Sequence, residues 1–266
     1  DMQFAIVSRG DTRSAEIAQE LTEKLQAAGH TLSEEPRIVV SVGGDGTMLQ
    51  AFHKYIDRLD ETLLVGIHTG HLGFYADWQP DELDELTEMI TSESFEPVSY
   101  PLVEVLIDYE NGETDRRLAM NDCTIKNYKR TLVCDLSIRD DYFETFRGDG
   151  LCISTPSGST AYNKALGGAI VHPSIEAIQV TEMASINNLV YRTIGAPLLL
   201  PKHHQVKIKP HTKTEFELAF DHQEALSWSD VVSIRCAVAK EKVTFARFRP
   251  FPFWRRVRES FIEEGK

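Results

Sequence analysis

Five stretches of this sequence carry residue types that do chemistry on hydroxyls, phosphates and bases. The first is Gly43-Gly44-Asp45-Gly46-Thr47, at the end of an apolar run. Glycines at a strand end let the backbone turn sharply and approach a ligand closely. The free N–H groups of a helix beginning near Thr47 would suit a phosphate. Yet the loop has no lysine and matches neither GxxxxGK[ST] nor GxGxxG. A carboxylate would repel a phosphate, so Asp45 makes sense facing a hydroxyl that it deprotonates, or a ribose diol. A plain αβ turn with Asp45 as a local cap is the alternative.

The second stretch, residues 66–78, places three glycines after the next expected strand, and so on the same sheet edge as Asp45. His68 and His71 are metal-ligand types, but no carboxylate or cysteine completes a set, and loop packing is the simpler reading. The third is Asn121-Asp122 between apolar runs, where such a pair is costly to bury without a partner. It reads as a polar ligand contact or as a strand end. The fourth, residues 146–173, holds Arg147, Asp149, Thr155, Ser157, Ser159, Thr160, Tyr162 and Asn163. Small donors, an acid–glycine turn and one aromatic can together read a base, a ribose and phosphates. A Ser/Thr-rich surface loop is the alternative, but the flanking segments look buried. The fifth is Asp221-His222 at a strand end. Without a GxSxG elbow it does not support a hydrolase triad, and Ser157 is not such an elbow.

The elements that must position these residues change character along the chain. The first hundred residues alternate strand runs (4–7, 37–42, 62–67) with helical spacing. That spacing puts Ile17, Leu21, Leu25 and Ala28 on one face, then Leu49, Phe52 and Ile56, then Leu83, Leu86 and Ile90. Alternation of this kind predicts a Rossmann-like α/β domain with a mostly parallel sheet. From Tyr100 onward short strands and turns dominate, as in a β-rich, sandwich-like domain with a turn at Asn111-Gly112. Among them "DVVSIRCAVA" and "KVTFARF" read as separate strands. The expected division is 1–100, 101–245 and a tail, 246–266, returning to the first domain. Phe251, Phe253 and Trp254 of that tail are expected to pack on the chain or on a partner subunit.

The chain has 266 residues and a formal net charge of −13, with 42% hydrophobic residues. This acidity argues against non-specific nucleic-acid or anionic-membrane binding. No apolar run reaches the ~18 residues of a membrane span, and no signal peptide is evident at the N-terminus. Cys123, Cys134, Cys152 and Cys236 form no CxxC pair, so reduced, buried thiols and a cytoplasmic location are expected.

Taken together, Gly43-Gly44-Asp45-Gly46, Asn121-Asp122 and Thr155-Pro156-Ser157-Gly158-Ser159-Thr160-Ala161-Tyr162 resemble the motifs of the NAD kinase family, in its bacterial, Gram-positive type. The glycine–aspartate loop alone is shared with diacylglycerol kinases, but the three motifs in this order are specific. The resemblance extends over nearly the whole chain. It implies transfer of the ATP γ-phosphoryl group to the 2′-hydroxyl of the adenosine ribose of NAD, giving NADP, with Asp45 as general base. It also implies use of Mg²⁺ or another divalent cation, use of polyphosphate by some members, and a homo-oligomer, dimer or tetramer.

By motif position, the resemblance assigns Asn121 and Asp122 to NAD, at a ribose diol and the adenine. Thr160, Ala161 and Tyr162 go to the adenosine part, with Arg147 and Asp149 also contacting NAD. Asn163, Lys164 and Ala165 continue that wall, and Ala184 and His222 match further contact positions. Phe74 lines the pocket, and Gly44, Gly46, Leu49 and Ser157 complete the binding set. Three positions depart from the family: Asp122 replaces the usual Glu, Ala165 a frequent Ser, and Ser157 the commoner Thr. The first two bear on NAD affinity rather than on the proposed base. A lipid or sugar kinase, or a non-catalytic NAD sensor, is the competing reading. A dehydrogenase is disfavoured by the absent GxGxxG fingerprint.

Overall fold

The apolar alternation of the first hundred residues becomes a parallel sheet with helices between its strands. The computed structural model describes residues 1–211, 216–223 and 226–263. Thr214, Glu215, Glu224, Ala225 and residues 264–266, which fall in the stretches read above, lie outside the described residues. Two units divide the chain: residues 1–99 with 242–266, and residues 100–241.

In the first unit the elements are β1 (Gln3–Ser8), α1 (Thr12–Ala27), β2 (Thr31–Leu32), β3 (Ile38–Gly43), α2 (Asp45–Lys54), β4 (Leu63–His68) and α3 (Leu83–Thr91). The strands run parallel in the order β2-β1-β3-β4. A fifth joins where Phe245 pairs in parallel with Leu64. Every residue of β3 is buried, as expected for a strand covered on both faces. Ile17, Leu21 and Leu25 of α1 and Leu83, Leu86 and Ile90 of α3 join Phe4, Ile38 and Ile67 in one core. Ala28 does not share that face. It is the exposed C-cap of α1, and Gly29 follows with φ +92°, which ends the helix. The start of α1 is fixed by Asp11, whose side chain accepts from the Ser14 N–H.

The second unit holds most of β5 (Glu96–Tyr109), β6 (Thr114–Ala119), β7 (Asp122–Lys126), β8 (Leu132–Ile138), β9 (Asp141–Gly148), β10 (Gly150–Ser154), β11 (Ala177–Met183), β12 (Leu198–Pro201), β13 (Val206–Pro210), β14 (Phe216–Phe220), β15 (Leu226–Trp228) and most of β16 (Val231–Arg247). One antiparallel sheet runs β12-β11-β10-β7-β14-β15. In the other, β16 pairs with β13, β13 with β8 and β8 with β9, while β5 pairs with β6 and β16. Inward residues of both sheets, among them Ile125, Leu151 and Leu218 with Val105, Leu136 and Ile234, share one core, which makes this a sandwich. The two strands read after Asp230 are one. The charged Lys240-Glu241-Lys242 between them stays extended, with Glu241 paired to Arg116. All four cysteines are buried and free.

The C-terminal helix, Phe253–Phe261, belongs to the first unit. Phe253 is buried, as expected of a ring packing on the chain, while Trp254 is 58% exposed on this chain. Neighbouring residues in a helix point about 100° apart, so one ring turned inward turns the next one outward.

Candidate active site

In the first unit the site begins where β3 ends. Gly44 caps α2, and Asp45 is the first helical residue, two positions earlier than expected. Asp45 does not cap its own helix. Its Oδ1 and Oδ2 each accept from the Phe74 N–H at 3.0 Å, and Oδ1 also accepts from the Tyr75 N–H at 3.0 Å. The 69–78 loop reaches it because it folds back on β4. His68 N–H donates to Trp78 O, Trp78 N–H to Gly66 O and Thr69 N–H to Gly43 O, at 3.0 to 3.1 Å. Gly73 lets the loop come this near. A Cβ there would lie 2.6 Å from Asp45 Oδ2 and 2.5 Å from Cγ, and nearer still to Oδ1. Burial raises the Asp45 pKa, while the two loop N–H groups and the Arg256 charge pull it down.

Around this carboxylate, a Cβ at Gly44 or Gly46 would meet nothing within 4 Å. Leu49 is buried on the inner face of α2. The Phe74 ring lies against Phe261, at 5.8 Å between centroids, and Phe253, at 6.2 Å. His68 has its pKa lowered by burial first and by Arg256 next. Among the described residues no group of three or more His, Cys, Asp or Glu could hold a metal ion.

In the second unit Asp221 organises the Asn121-Asp122 pair. Its carboxylate accepts the N–H groups of Met120 (2.8 Å), Asn121 (2.5 Å) and Asp122 (3.1 Å). Asp221 and His222 both adopt left-handed φ, 57° and 52°, which lets the chain turn at the end of β14. The Asp122 side chain is buried, and neither of its oxygens has a hydrogen-bond partner among the described residues. Burial first, then the Asp221 charge, lift its pKa from 3.8 to about 7, with Lys126 opposing. His222 Nε2 stands 3.9 Å from Asp122 Oδ2, within ion-pair range but too far for a hydrogen bond. Tyr162 completes the group. Its ring meets His222 edge-on at 5.5 Å and carries Lys126 Nζ 4.6 Å from its centroid.

The hydroxyl-rich segment turns its side chains inward. Thr155 Oγ1 donates to Met120 O and accepts from the Gly158 N–H, and Ser157 Oγ donates to Met120 O at 3.2 Å. Gly158 packs directly on Asn121, where a Cβ would lie 2.5 Å from Cα and closer to the carbonyl oxygen. Thr160 is buried, with Ala161 following at the surface of the turn. Asn163 is fully buried, its Nδ2 donating to Ser159 O and Ala169 O. These hydroxyls and this amide fix the loop against the Asn121 backbone.

Arg147, Asp149 and Ala184 form a separate group. Gly148 packs on the Met183 and Ala184 carbonyls, Ile186 N–H donates to Arg147 O, and Asp149 N–H donates to Met183 O. Arg147 stacks on Tyr191 at 4.1 Å, while Asp149, Ala184, Lys164 and Ala165 are exposed. Sequence reasoning placed Gly73 on the sheet edge of Asp45 as one of three glycines, but missed Lys126, Tyr191, Arg256 and the anchoring role of Asp221. Of these four, Asp221 alone left a signal, an acid at a strand end beside a histidine.

The chain thus carries a parallel α/β unit with a glycine–aspartate turn and a sandwich with a buried Asn–Asp pair. Residues 14–95 match the family model described as ATP-NAD kinase N-terminal domain, and residues 120–248 that described as ATP-NAD kinase C-terminal domain. NAD kinase 1 of Bacillus subtilis is 58% identical over 267 residues, covering all of both chains. The NAD kinase of Geobacillus stearothermophilus is 60% identical over 263 residues, covering 98% of this chain and 97% of its own. The chain therefore belongs to the NAD kinase family. Two solved structures share the fold. Yeast NADH kinase complexed with NADH has a TM-score of 0.82 at 19% identity, over 100% of this chain and 89% of that one. An Archaeoglobus fulgidus NAD kinase in complex with ATP has a TM-score of 0.75 at 20% identity, over 96% and 97%.

Proposed function

We propose that this chain transfers the γ-phosphoryl group of ATP to the 2′-hydroxyl of the adenosine ribose of NAD, forming NADP and ADP, with Asp45 as general base. The observation that carries the role of Asp45 is its placement: a half-buried carboxylate at the N-terminal turn of α2, oriented by two backbone N–H groups. Asp45 takes the hydroxyl proton as the ribose oxygen attacks the γ-phosphorus and the bond to ADP breaks. Burial favours this role, because it keeps the pKa of Asp45 above the ordinary carboxylate value. The open space at Gly44 and Gly46 leaves room for close approach of a ligand to the backbone.

The second unit is assigned NAD recognition. Asp122 supports this most, since its two unpartnered oxygens are acceptors for ribose hydroxyls or adenine N–H groups. Tyr162 and His222 offer ring faces and a donor beside it. Asn121, Thr160 and Ala161 flank the adenosine part, while Arg147, Asp149, Lys164, Ala165 and Ala184 serve the remainder of NAD. Asn163 and Ser157 act by holding the loop. The divalent cation enters as part of the metal–ATP substrate, its coordination shared with the phosphates, as Mg²⁺ commonly is. The family resemblance supports a homo-oligomer, and the four free buried thiols suit the cytoplasm.

The test is a coupled assay with NAD, ATP and Mg²⁺, NADP being read by an NADP-specific dehydrogenase. Wild type forms NADP, and Asp45→Asn loses about 100-fold or more of turnover, the scale of a general base. A folded Asp45→Asn enzyme with wild-type turnover refutes the role of Asp45. No NADP from a wild-type chain that binds NAD identifies a sensor.

A further inference from the structure

We infer that Arg256, on the C-terminal helix, is a positioning residue for Asp45, acting through the 73–77 loop. This rests on the reading of Asp45 as the base. The loop segment that supplies the Phe74 and Tyr75 N–H groups is itself gripped from the C-terminal side. Arg256 Nη1 donates to Gly73 O at 3.3 Å, to Ala76 O at 3.2 Å and to Asp77 Oδ1 at 3.0 Å. These acceptors bracket the two residues whose N–H groups hold Asp45. A single guanidinium therefore fixes both ends of the clamp.

Three further contacts keep that grip in register. Arg247 Nη1 donates to the other Asp77 oxygen at 2.7 Å. Arg249 donates to both oxygens of Glu82, at 2.7 and 2.8 Å, and to Asp77 O at 3.0 Å. The Phe74 ring packs against both Phe253 and Phe261 of the same helix. The Arg256 side chain is largely buried, at 12% exposure, and stacks on Phe251 at 4.4 Å. Ion pairs of this kind are strong because the geometry is fixed and water is mostly excluded.

The charged and titratable groups packed here are Arg247, Arg249 and Arg256 from the C-terminal segment and His68, Asp77 and Glu82 from the β4 side. Of these, the Arg256 charge bears on the Asp45 carboxylate and favours its ionised form. Arg256 thus acts twice on the base: it holds the donors in place and helps to keep the carboxylate ready to accept a proton. It touches neither substrate in this role. Its removal should slow the proton-transfer step while substrate binding is preserved.

The experiment compares wild type, Arg256→Met, Arg256→Lys and Asp45→Asn in the full chain, with circular dichroism to confirm folding. For Arg256→Met the expected result is a kcat lowered about tenfold with KM for NAD and ATP within about twofold, the scale expected for a group displaced by a fraction of an ångström. The acid limb of its kcat–pH profile moves to higher pH. Arg256→Lys keeps the limb near the wild-type position and recovers part of kcat, since lysine retains the charge but lacks the planar guanidinium that stacks on Phe251 and fixes the donor nitrogen in place. An inactive Asp45→Asn beside a folded Arg256→Met with wild-type kcat and profile overturns this inference alone. A fully active Asp45→Asn overturns the reading of the base, and the inference with it. Should Arg256→Met not fold, Arg256→Lys decides: a several-fold loss of kcat at unchanged KM supports the role, and wild-type kcat refutes it.

Discussion

Replacing Gly73 by alanine adds one methyl group at the point where the loop meets Asp45. Gly73 is not in the left-handed region, so the substitution tests bulk alone. The new Cβ would sit 2.5 Å from Asp45 Cγ, whereas carbon atoms rest at about 3.5 Å or more. The loop and the carboxylate must separate by roughly 1 Å, and the two 3.0 Å bonds from the Phe74 and Tyr75 N–H groups cannot survive that shift unchanged. Overpacking of this kind costs about 1–3 kcal/mol. At about 2–4 °C per kcal/mol for a chain somewhat shorter than this one, the Tm falls by several degrees. The catalytic effect is larger, because a base misplaced by ~1 Å loses about 100-fold in rate. The measurement is kcat and KM in the coupled assay, with a thermal melt on the same sample. A Gly73→Ala enzyme with wild-type kcat would refute the claim that the close approach of this loop orients Asp45.

Three further outcomes follow from the same geometry. Gly46 is exposed and has open space where a Cβ would go, so Gly46→Ala keeps or raises the Tm, yet lowers turnover if a ligand approaches that backbone; unchanged kinetics would remove Gly46 from the site. Asp122 has its pKa raised from 3.8 to about 7, so its contribution to stability is full below 3.8 and is lost as pH rises through about 7. Melts of ligand-free wild type and Asp122→Asn therefore diverge over that window, the variant being more stable at pH 8 while binding NAD more weakly, and parallel melts would contradict the buried, unpartnered carboxylate. Asp221→Ala strips the acceptor from three N–H groups at about 1–3 kcal/mol for each one left unsatisfied, so chemical denaturation should show a loss of several kcal/mol, and a loss below about 1 kcal/mol would mean that other partners replace it.

Period and composition made the first unit legible. β3 reads as a strand buried on both faces because Ile38 to Val42 are apolar without alternation, broken only by Ser41, and α1 and α3 show their inward stripes at helical spacing. The glycine–aspartate turn was equally visible, since glycines after a strand have few other uses. What Asp45 does there was not visible. Its partners are backbone N–H groups 29 and 30 residues away, and a backbone donor leaves no mark in residue type. The same blindness covers Asp221, whose three partners lie about 100 residues earlier. The hydroxyls of residues 155–160 were noticed for their chemistry, but their types could not tell an outward donor from one turned to the Met120 carbonyl. Arg256 sat in a basic, aromatic tail that was expected to return to the first domain, with no residue of it assigned to the site. Only the fold, which brings residue 256 against residues 73–77, separates it from Arg255 beside it.

Asp45 is half-buried and Asp122 fully buried, and both carboxylates have raised pKa values, but the protein treats them oppositely. Asp45 is given two backbone donors and a nearby guanidinium, which hold it in one orientation and offset the cost of burying its charge. Asp122 is given a carboxylate neighbour, Asp221, and no hydrogen bond to either of its carboxylate oxygens among the described residues. A buried carboxylate without donors is costly, by about 1–3 kcal/mol or more, and persists only where something else supplies the donors or the selection is for more than stability. A ligand bringing hydroxyl or amino groups to Asp122 would recover that cost on binding, so the free energy is stored where recognition occurs. A base must instead be ready before its substrate arrives, and a carboxylate held by fixed dipoles needs no reorganisation at the moment of reaction. The division between a satisfied acid and an unsatisfied one thus matches the roles proposed for the two sites, proton transfer for Asp45 and recognition for Asp122.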